Sequence, residues 1–421
     1  MAESHDHPAP AAPTEESRTT VGPSGPAGPL AGVKVVEFAQ VIAGPLAGTL
    51  MADLGADVVH VEPPGVGDSA RYMGPAKDGA HLWWKVLGRN KRSVTLDLRV
   101  EDGRATARRL VAWADVVVVT FRADTVEKYG LDWESVRAVN PSAVLLQISG
   151  YGARTSKRNF PGFGKMGEAR SGVVHLTGFP DGPPVHTGFS HGDATTGLMG
   201  AFAVTAALHR RERDPDRKGE WIDLALSDTL LRLVEWQIIV KDQLGEAPQR
   251  SGNQLAVAPA AVVNVYAAAD RGWVTVTSGT PRSVSNIARL LGLDTARYET
   301  QQAQAAGTQE LDDGLRAWIA QRGTEECLLV MEEAGVVASK VFDVDDILAD
   351  PVFAERESII TVPDRDLGEV RMQGVVPTFV GDAGAVWRTG PALGEDNDLV
   401  YGQWLGLDEQ ERRRLAADGV I

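Results

Sequence analysis

The sequence predicts an α/β protein, with a Rossmann-like large domain and a smaller α+β domain inserted into it. Short β-branched runs alternate with amphipathic segments from Leu30 onward, and this pattern changes after residue 251. Such alternation is typical of βαβ units, whose parallel strands form a sheet that helices cover on both faces. A chain of 421 residues is long enough for two or three hydrophobic cores.

The strands are predicted from runs rich in valine, isoleucine and leucine. They are VKVVEF at 33–38, DVVHVE at 57–62, SVTLDL at 93–98, DVVVVTF at 115–121, AVLLQIS at 143–149 and WIDLAL at 221–226. Helices are predicted between most of them, including Pro45–Leu54 and Glu101–Trp113, and two more at 194–209 and 228–244. The order of these elements predicts one parallel sheet.

The domain boundaries follow from changes in composition and pattern. Residues 1–29 are rich in Pro, Ala, Gly and Ser and are predicted to be a disordered tail. The large domain then spans 30–225, a linker helix spans 226–251, and the hairpin pattern AVVNVYAAADRGWVTVTS opens a small domain at 252–334. Residues 335–421 are predicted to return to the large domain.

Composition excludes several classes of function. The net charge of −15 argues against nucleic acid as a partner, and no apolar run is long enough to span a membrane. The single cysteine, Cys327, excludes an internal disulfide framework and a cysteine-based zinc site, and it suits the reducing cytoplasm. We therefore expect a cytoplasmic protein with no metal site.

A glycine-rich run, GFGKMG at 162–167, matches the pattern G-x-G-x-x-G. A dinucleotide-binding fingerprint must follow a strand directly, whereas this run follows the loop-like segment TSKRNFP, so no NAD site is predicted. The P-loop pattern is absent from the sequence, which disfavours ATP chemistry.

The stretch GFSHGDATTGLM at 188–199 contains two candidate nucleophiles. Ser190 lies in a G-x-S-x-G pattern, but the late histidine of α/β-hydrolases is missing, since the chain has no histidine after His209. His209 lies roughly 24 Å along a helix from Ser190. Asp193 has two compatible interpretations, a helix N-cap and a nucleophilic carboxylate, with Gly188, Gly192 and Gly197 leaving room for a ligand.

Several separated motifs, in the same order, resemble the class III CoA-transferase family. They are LAGVKVVEFAQVIAGPLAGTLMADLGADVVHVEPPGVGD, NKRSVTLDL, LTGFPDGPPVHTGFSHGDATTGLMGAFAVTAALHRR and GPALGEDND. The resemblance runs from about Leu30 to the end of the sequence. It implies a CoA-transferase with Asp193 as covalent nucleophile, acyl-CoA and a small carboxylic acid as substrates, no tightly bound cofactor, and an interlocked homodimer.

The resemblance also implies binding residues. The predicted CoA contacts are Ile42, Ala43, Leu96, Asp97, Leu98, Arg99, Thr120, Phe121, Arg122 and Lys128, and the predicted substrate loop contains Gly252 and Asn253. Arg99 and Lys128 are candidate phosphate partners. Pro63 stands where some family members have an arginine beside the adenine, so that contact is not expected.

Three alternatives stay open beside the transferase, and one of them is a serine hydrolase that uses Ser190. An acyl-CoA racemase of the same superfamily needs an acid/base residue, but Gly164 stands where that branch has an aspartate. A CoA-binding protein without turnover is the third possibility. Glu168 is a carboxylate without an assigned role, which would contact an acceptor or cap a helix. The acyl donor and the acceptor are not fixed by the sequence.

Overall fold

The structure, a computed structural model, describes residues 27–381 and 383–421. The predicted tail, residues 1–29, lies outside the described residues except for 27–29. The chain divides into two compact units. The first comprises the chain up to Gly167 together with Phe189–Leu230 and Ala354–Ile421, and the second comprises Glu168–Gly188 and Leu231–Phe353.

The strands are numbered in chain order. They are β1 Lys34–Phe38, β2 Asp57–Glu62, β3 Ala76–Lys77, β4 Ala80–His81, β5 Lys91–Thr95, β6 Val116–Val119, β7 Val144–Ser149, β8 Glu220–Ala225, β9 Val262–Ala267, β10 Trp273–Ser278, β11 Ala338–Lys340, β12 Ile359–Asp364 and β13 Gly368–Gln373.

The α-helices are numbered in the same way. They are α1 Ala43–Asp53, α2 Leu82–Leu87, α3 Glu101–Trp113, α4 Ala123–Tyr129, α5 Trp133–Val139, α6 Gly164–Arg170, α7 Val173–Leu176, α8 His191–Arg213, α9 Leu226–Leu233, α10 Gln237–Leu244, α11 Pro281–Leu290, α12 Gln301–Ile319, α13 Thr324–Glu333, α14 Val344–Ala349, α15 Pro351–Glu355 and α16 Glu409–Ala417. Short 3₁₀ turns lie at Ser69–Tyr72 and Thr295–Tyr298, and a π-helical segment lies at Asp398–Trp404.

The first unit is built on a parallel sheet with the strand order β5-β2-β1-β6-β7-β8. This confirms the predicted α/β class and the parallel sheet. Alternate residues of the central strand β6 enter different cores: Val117 and Val119 face one, whereas Val116 and Val118 face the other. A strand buried on both faces reads as a continuous apolar run, which is why the sequence VVVV marked it.

Helix α8 packs closely on α1 because glycines replace side chains at the contact. A Cβ atom added to Gly197 would lie 2.9 Å from the carbonyl oxygen of Ala43 and from the Cβ of Leu46. A Cβ on Gly200 would lie 2.9 Å from the Leu146 side chain of β7. These contacts hold the N-terminal half of α8 against α1 and β7.

The second unit has its own antiparallel sheet, in the order β11-β10-β9. The hairpin of β9 and β10 was predicted and is confirmed. Its core includes Tyr266, Ile287, Leu315 and the buried thiol of Cys327. The single helix predicted at 228–244 is wrong, because α9 ends at Leu233 and α10 starts at Gln237. Val234 and Trp236, which have lower helix propensity than leucine, lie at that break.

Candidate active site

A cavity of about 380 Å³ lies at the carboxyl ends of β1, β6 and β7 in the first unit. Its walls include the turn Gln40–Ala43 after β1, the segment Thr120–Arg122 after β6, and Asp193. The chain proceeds from β1 to β2 on one side and returns to β6 on the other side of β1. Open parallel sheets bind ligands at such a switch point, outside the carboxyl ends of the strands. The cavity is therefore the candidate active site.

Half of the predicted CoA contacts line this cavity. They are Ile42, Ala43, Thr120, Phe121 and Arg122. The other five, Leu96–Arg99 and Lys128, are not among its lining residues. Sequence reasoning missed the aromatic wall that Phe160 and Phe163 add, because Phe160 lies in a loop without a recognisable pattern and the run GFGKMG was considered only for its glycines.

Asp193 lies in the first turn of α8 and is partly exposed. The helix begins at His191, with Ser190 at the N-cap position, so the interpretation of Asp193 as the N-cap is wrong. The amide of Ala194 already donates to the carbonyl of Ser190 at 2.8 Å, which places the helix start three residues before the prediction. The positive end of the helix dipole favours a negative charge in this turn.

The carboxylate of Asp193 rests against the backbone of Gly164. A Cβ atom added to Gly164 would lie 2.2 Å from Oδ2 of Asp193 and 2.6 Å from its Cγ. A Cβ on Gly192 would in turn lie 2.5 Å from the carbonyl oxygen of Gly164. Since real Cβ contacts are longer than this, the two glycines permit a close approach that no other residue type allows. Of the glycines predicted to make room, Gly188 has open space around it instead.

The G-x-G-x-x-G run thereby acquires a structural explanation. A Cβ on Gly162 would lie 2.6 Å from the Cα of Gly150, and one on Gly167 would lie 3.0 Å from the Leu226 side chain. Together with Gly164, each glycine of the run touches a different element of the first unit. Lys165 also donates to the carbonyl of Phe189 at 2.8 Å, just before α8. The motif is thus a packing segment behind Asp193.

Ser190 lacks the partners of a hydrolase nucleophile. Its side chain makes no capping hydrogen bond. Within the residues that the structure describes, no hydrogen bond joins Ser190 to a histidine, and Nδ1 of the neighbouring His191 is buried without a hydrogen bond. The arrangement gives Ser190 no base.

The three basic candidates differ in their surroundings. Arg99 is paired with Asp97 through two contacts of 2.8 Å, and this hydrogen-bonded pair lowers the pKa of the Asp97 carboxyl. Lys128 Nζ lies 6.0 Å from the centroid of the Tyr129 ring, and Lys128 is not among the residues that line the cavity. Arg122 is exposed, lines the cavity and makes no ion pair with any described residue. Arg122 is therefore the cation best placed to meet an anionic group there.

A buried charge cluster lies behind the turn Gln40–Ala43. It consists of Glu37, Glu62, Asp68, His60, Arg71 and Lys91. Glu37 contacts Lys91 Nζ at 2.6 Å and His60 Nδ1 at 2.7 Å. Burial by itself disfavours the charged imidazole, but the carboxylates of Asp68 and Glu37 outweigh it and raise the pKa of His60 to about 9. Three negative and three positive groups then balance.

The predicted substrate loop belongs to the second unit. Gly252 has a φ of +61° and donates its N–H to the carbonyl of Gly178 at 3.0 Å. Asn253 is exposed, and its amide lies 3.4 Å from Oδ1 of Asn264. In the same unit, the fully buried Glu168 contacts Nδ1 of His186 at 2.8 Å.

Two further findings concern metal sites and membrane-spanning helices. Within 27–381 and 383–421, no three or more His, Cys, Asp and Glu side chains are grouped so that they could hold a metal ion. Nor does any helix in those ranges have the length and apolarity required to cross a membrane.

Comparison with known proteins gives consistent matches over almost the whole chain. The sequence model of CoA-transferase family III matches residues 30–397. The chain is 39% identical to succinyl-CoA–D-citramalate CoA-transferase of Chloroflexus aurantiacus, over 94% of this chain and 99% of that protein. It is 34% identical to succinate–glutarate CoA-transferase of Agrobacterium fabrum, over 89% of this chain and 95% of that protein.

The same relationship holds at the level of structure. The crystal structure of a CAIB/BAIF family protein from Brucella suis has a TM-score of 0.78 and 32% sequence identity to this chain. The match covers 90% of this chain and 99% of that protein.

Proposed function

The chain belongs to CoA-transferase family III, and we propose that it moves CoA from succinyl-CoA to a short dicarboxylic acid, with Asp193 as the covalent nucleophile. The CoA thioester is a substrate of this reaction rather than a tightly bound cofactor. We propose the cytoplasm as its location, which the buried free thiol of Cys327 favours.

The observation that carries this proposal is the position of Asp193. Its carboxylate lines the same cavity as Ile42, Thr120 and Arg122, which the family resemblance assigned to CoA. A carboxylate at the start of a long helix stays ionised more readily, and only the ionised form is nucleophilic. Arg122 supplies a cation on the opposite segment, suited to a phosphate or a substrate carboxylate.

The reaction runs through four balanced steps. An Asp193 oxygen attacks the thioester carbonyl, forms a mixed anhydride and releases CoA thiolate. The thiolate attacks the Asp193 carbonyl, giving an aspartyl-CoA thioester and free succinate. The acceptor carboxylate then attacks that thioester, forms a second mixed anhydride with Asp193 and releases the thiolate again. The thiolate finally attacks the acceptor's acyl carbonyl in this anhydride, which gives the acceptor-CoA thioester and restores the Asp193 carboxylate. One thioester replaces another, so the exchange is nearly isoenergetic and no ATP is consumed.

The choice of substrates rests on the relatives. One is named for succinyl-CoA and D-citramalate and another for succinate and glutarate, so all the named acids are dicarboxylates. We infer that the distal carboxylate of the acceptor requires a cation, which Arg122 is able to provide. A panel of dicarboxylic acids with succinyl-CoA, with mass detection of the new thioesters, identifies the acceptor.

The racemase alternative is disfavoured at Gly164. An aspartate at this position has a Cβ atom, which would lie 2.2 Å from Oδ2 of Asp193. The racemase base and the present Asp193 geometry are therefore incompatible in this backbone. Incubation of an α-methylacyl-CoA in deuterium oxide without an acceptor is expected to give no exchange at the α-carbon.

We also propose that the chain forms a homodimer. Leu198 and Phe202, one turn apart on α8, are 60% and 70% exposed. On α10, Ile238, Ile239 and Leu244 are more than half exposed. Apolar side chains clustered on helices mark association surfaces in soluble proteins. Sedimentation at micromolar concentration is expected to give twice the monomer mass, and a monomer contradicts the proposal.

The proposed nucleophile is tested by trapping. Incubation with succinyl-CoA, followed by hydroxylamine, is expected to leave a hydroxamate on the peptide that contains Asp193. Asp193→Asn keeps the shape of the side chain and is expected to abolish transfer while CoA still binds. Ser190→Ala is the matched control from the same turn and is expected to keep most activity. Substantial turnover by Asp193→Asn would sink the proposed mechanism.

A further inference from the structure

Val41, in the turn between β1 and α1, has an unusual backbone conformation. Its φ is +68°, in the left-handed region. Among the described residues other than glycine with positive φ, Val41 is the one that is β-branched. A β-branched side chain in this region is a steric outlier, so the surrounding structure must hold the turn in place.

Asp68 holds the turn in this conformation through hydrogen bonds. The N–H of Val41 donates to both carboxylate oxygens of Asp68, at 3.1 Å and 3.0 Å. Asp68 is fully buried and also accepts the N–H of Ala70 at 2.9 Å. On the other side of the turn, the N–H of Gln40 donates to Oγ1 of Thr120 at 3.1 Å. The strained residue is therefore fixed from both directions.

The charge of Asp68 is itself supported by the buried charge cluster. The ring Nε2 of His60 lies 3.4 Å from Oδ2 of Asp68, and the N–H of Asp68 donates to Glu62 at 2.8 Å. Burial by itself raises the pKa of Asp68, but the His60 ring and the backbone amides more than offset this and hold it below its ordinary value. A buried, ionised carboxylate accepts a strong hydrogen bond from an amide, because water does not reach it to compete for its oxygens.

We propose that Asp68 is a positioning residue for the acyl-CoA substrate: it holds Val41 at positive φ, and thereby shapes the cavity wall formed by Gln40–Ala43. Asp68 does not line the cavity and acts through the backbone of the turn. The identity of the ligand rests on the proposed function, whereas the link from Asp68 to the cavity wall rests on geometry alone.

The first test is Asp68→Asn, which removes the charge and keeps the size. We expect the KM for succinyl-CoA to rise about tenfold or more, with kcat within about threefold of the parent enzyme. Asp53→Asn is the matched control, because Asp53 is also buried in the first unit and is paired with Arg89 at 2.6 Å away from the turn. That variant is expected to lose stability without a change in KM.

The decisive test is rescue by glycine. Glycine adopts positive φ without strain, so Val41→Gly removes the need for the clamp. The double variant Val41→Gly/Asp68→Asn is expected to have a KM within about twofold of Val41→Gly alone. A KM as high as that of Asp68→Asn overturns the proposal, as does an unchanged KM in folded Asp68→Asn. If Asp68→Asn does not fold, the double variant gives the answer by itself.

Titration calorimetry with CoA alone separates this proposal from the proposed function. We expect the parent enzyme to bind CoA, Asp68→Asn to bind it more weakly, and the double variant to recover the affinity. This result supports the positioning role even if no adduct forms on Asp193. Equal affinity for CoA in the parent and in Asp68→Asn counts against it.

Discussion

The first unit holds carboxylates in two opposite ways. Asp193 is partly exposed, lines the cavity and rests against the backbone of Gly164. Glu37, Glu62 and Asp68 are fully buried behind the cavity wall, between His60, Arg71 and Lys91. The Asp193 carboxylate is packed against a glycine backbone at the cavity, whereas the other three are enclosed among charged partners.

The difference fits the role that we propose for each carboxylate. A nucleophile must keep an oxygen within reach of the substrate, and backbone contacts restrict its position without covering it. A buried structural carboxylate is instead held by charged partners, as in the paired contacts of Glu62 with Arg71 at 2.6 Å. The position of Asp193 is therefore expected to respond to added side-chain volume, and the buried charge cluster is expected to respond to a change of pH.

The largest effect is expected from Gly164→Ala. The added methyl group would overlap Oδ2 of Asp193 at 2.2 Å and force the carboxylate to move. A displacement of about 1 Å in a reacting group costs roughly 100-fold in rate, so kcat is expected to fall by at least that factor. Turnover of succinyl-CoA with a dicarboxylic acceptor measures it.

Gly188→Ala is the control for this prediction. Gly188 belongs to the same stretch as Asp193, but a Cβ there meets no atom within 4 Å, so activity is expected to be retained. In an Asp193→Ala background, Gly164→Ala is expected to destabilise the fold less than in the parent, since the overlapping carboxylate is gone. Full activity of Gly164→Ala would show that shape does not place Asp193.

The next effect concerns the buried charge cluster and pH. The pKa of His60 is about 9 in the folded protein against an ordinary value of 6.5, so the folded state binds the proton more tightly. This stabilisation is complete below pH 6.5 and is lost as the pH rises through 9. It corresponds to roughly 3 kcal/mol as an order of magnitude. Urea unfolding at pH 6 and pH 10 measures the loss.

His60→Gln is the matched variant for the pH experiment. It has no proton to lose between pH 6 and 10, so its free energy of unfolding is expected to vary less over that range than the parent's. Parallel curves for parent and variant would remove His60 as the cause.

Sequence reasoning found the elements whose signals are local. The strand VVVV of β6 is buried on both faces and therefore reads as an unbroken apolar run. Asp193 was singled out because it directly precedes a predicted helix in a glycine-rich stretch, and because the family resemblance implies it as the nucleophile. The start of α8 was misplaced because Gly192, a poor helix former, lies inside the first turn, where packing against Gly164 decides its conformation.

The contacts that shape the cavity were not predictable in the same way. Val41 and Asp68 are 27 positions apart, and nothing in either neighbourhood indicates that they meet. The glycine run at 162–167 was recognised as a pattern, but its role depends on Gly150, Asp193 and Leu226, which are brought there by three different elements. Such pairings arise from the tertiary packing and not from local preference.

A smaller effect is expected from the basic residues. Arg122→Met is expected to raise the KM for succinyl-CoA about tenfold, because Arg122 lines the cavity and is not engaged in another ion pair among the described residues. Arg99→Met is the matched change, and it is expected to leave KM nearly unaltered because Arg99 is paired with Asp97 outside the cavity. Steady-state kinetics of both variants measure this contrast. A larger rise in KM for Arg99→Met than for Arg122→Met would indicate that the anion binds near the end of β5 and not near β6.

The smallest effect is expected outside both sets of carboxylates, in the second unit. Thr280 caps α11: its Oγ1 accepts the N–H of Ser283 at 3.2 Å, and its own N–H donates to Oγ of Ser283 at 3.1 Å. Thr280→Ala is expected to lower the free energy of unfolding by about 1 kcal/mol, whereas Thr280→Ser keeps the cap and loses less. Because this cap touches neither the cavity nor the buried charge cluster, kcat and KM at 25 °C are expected to stay at parent values in both variants. A change in KM for succinyl-CoA would mean that substrate binding depends on the stability of the second unit as well as on the placement of the carboxylates in the first unit.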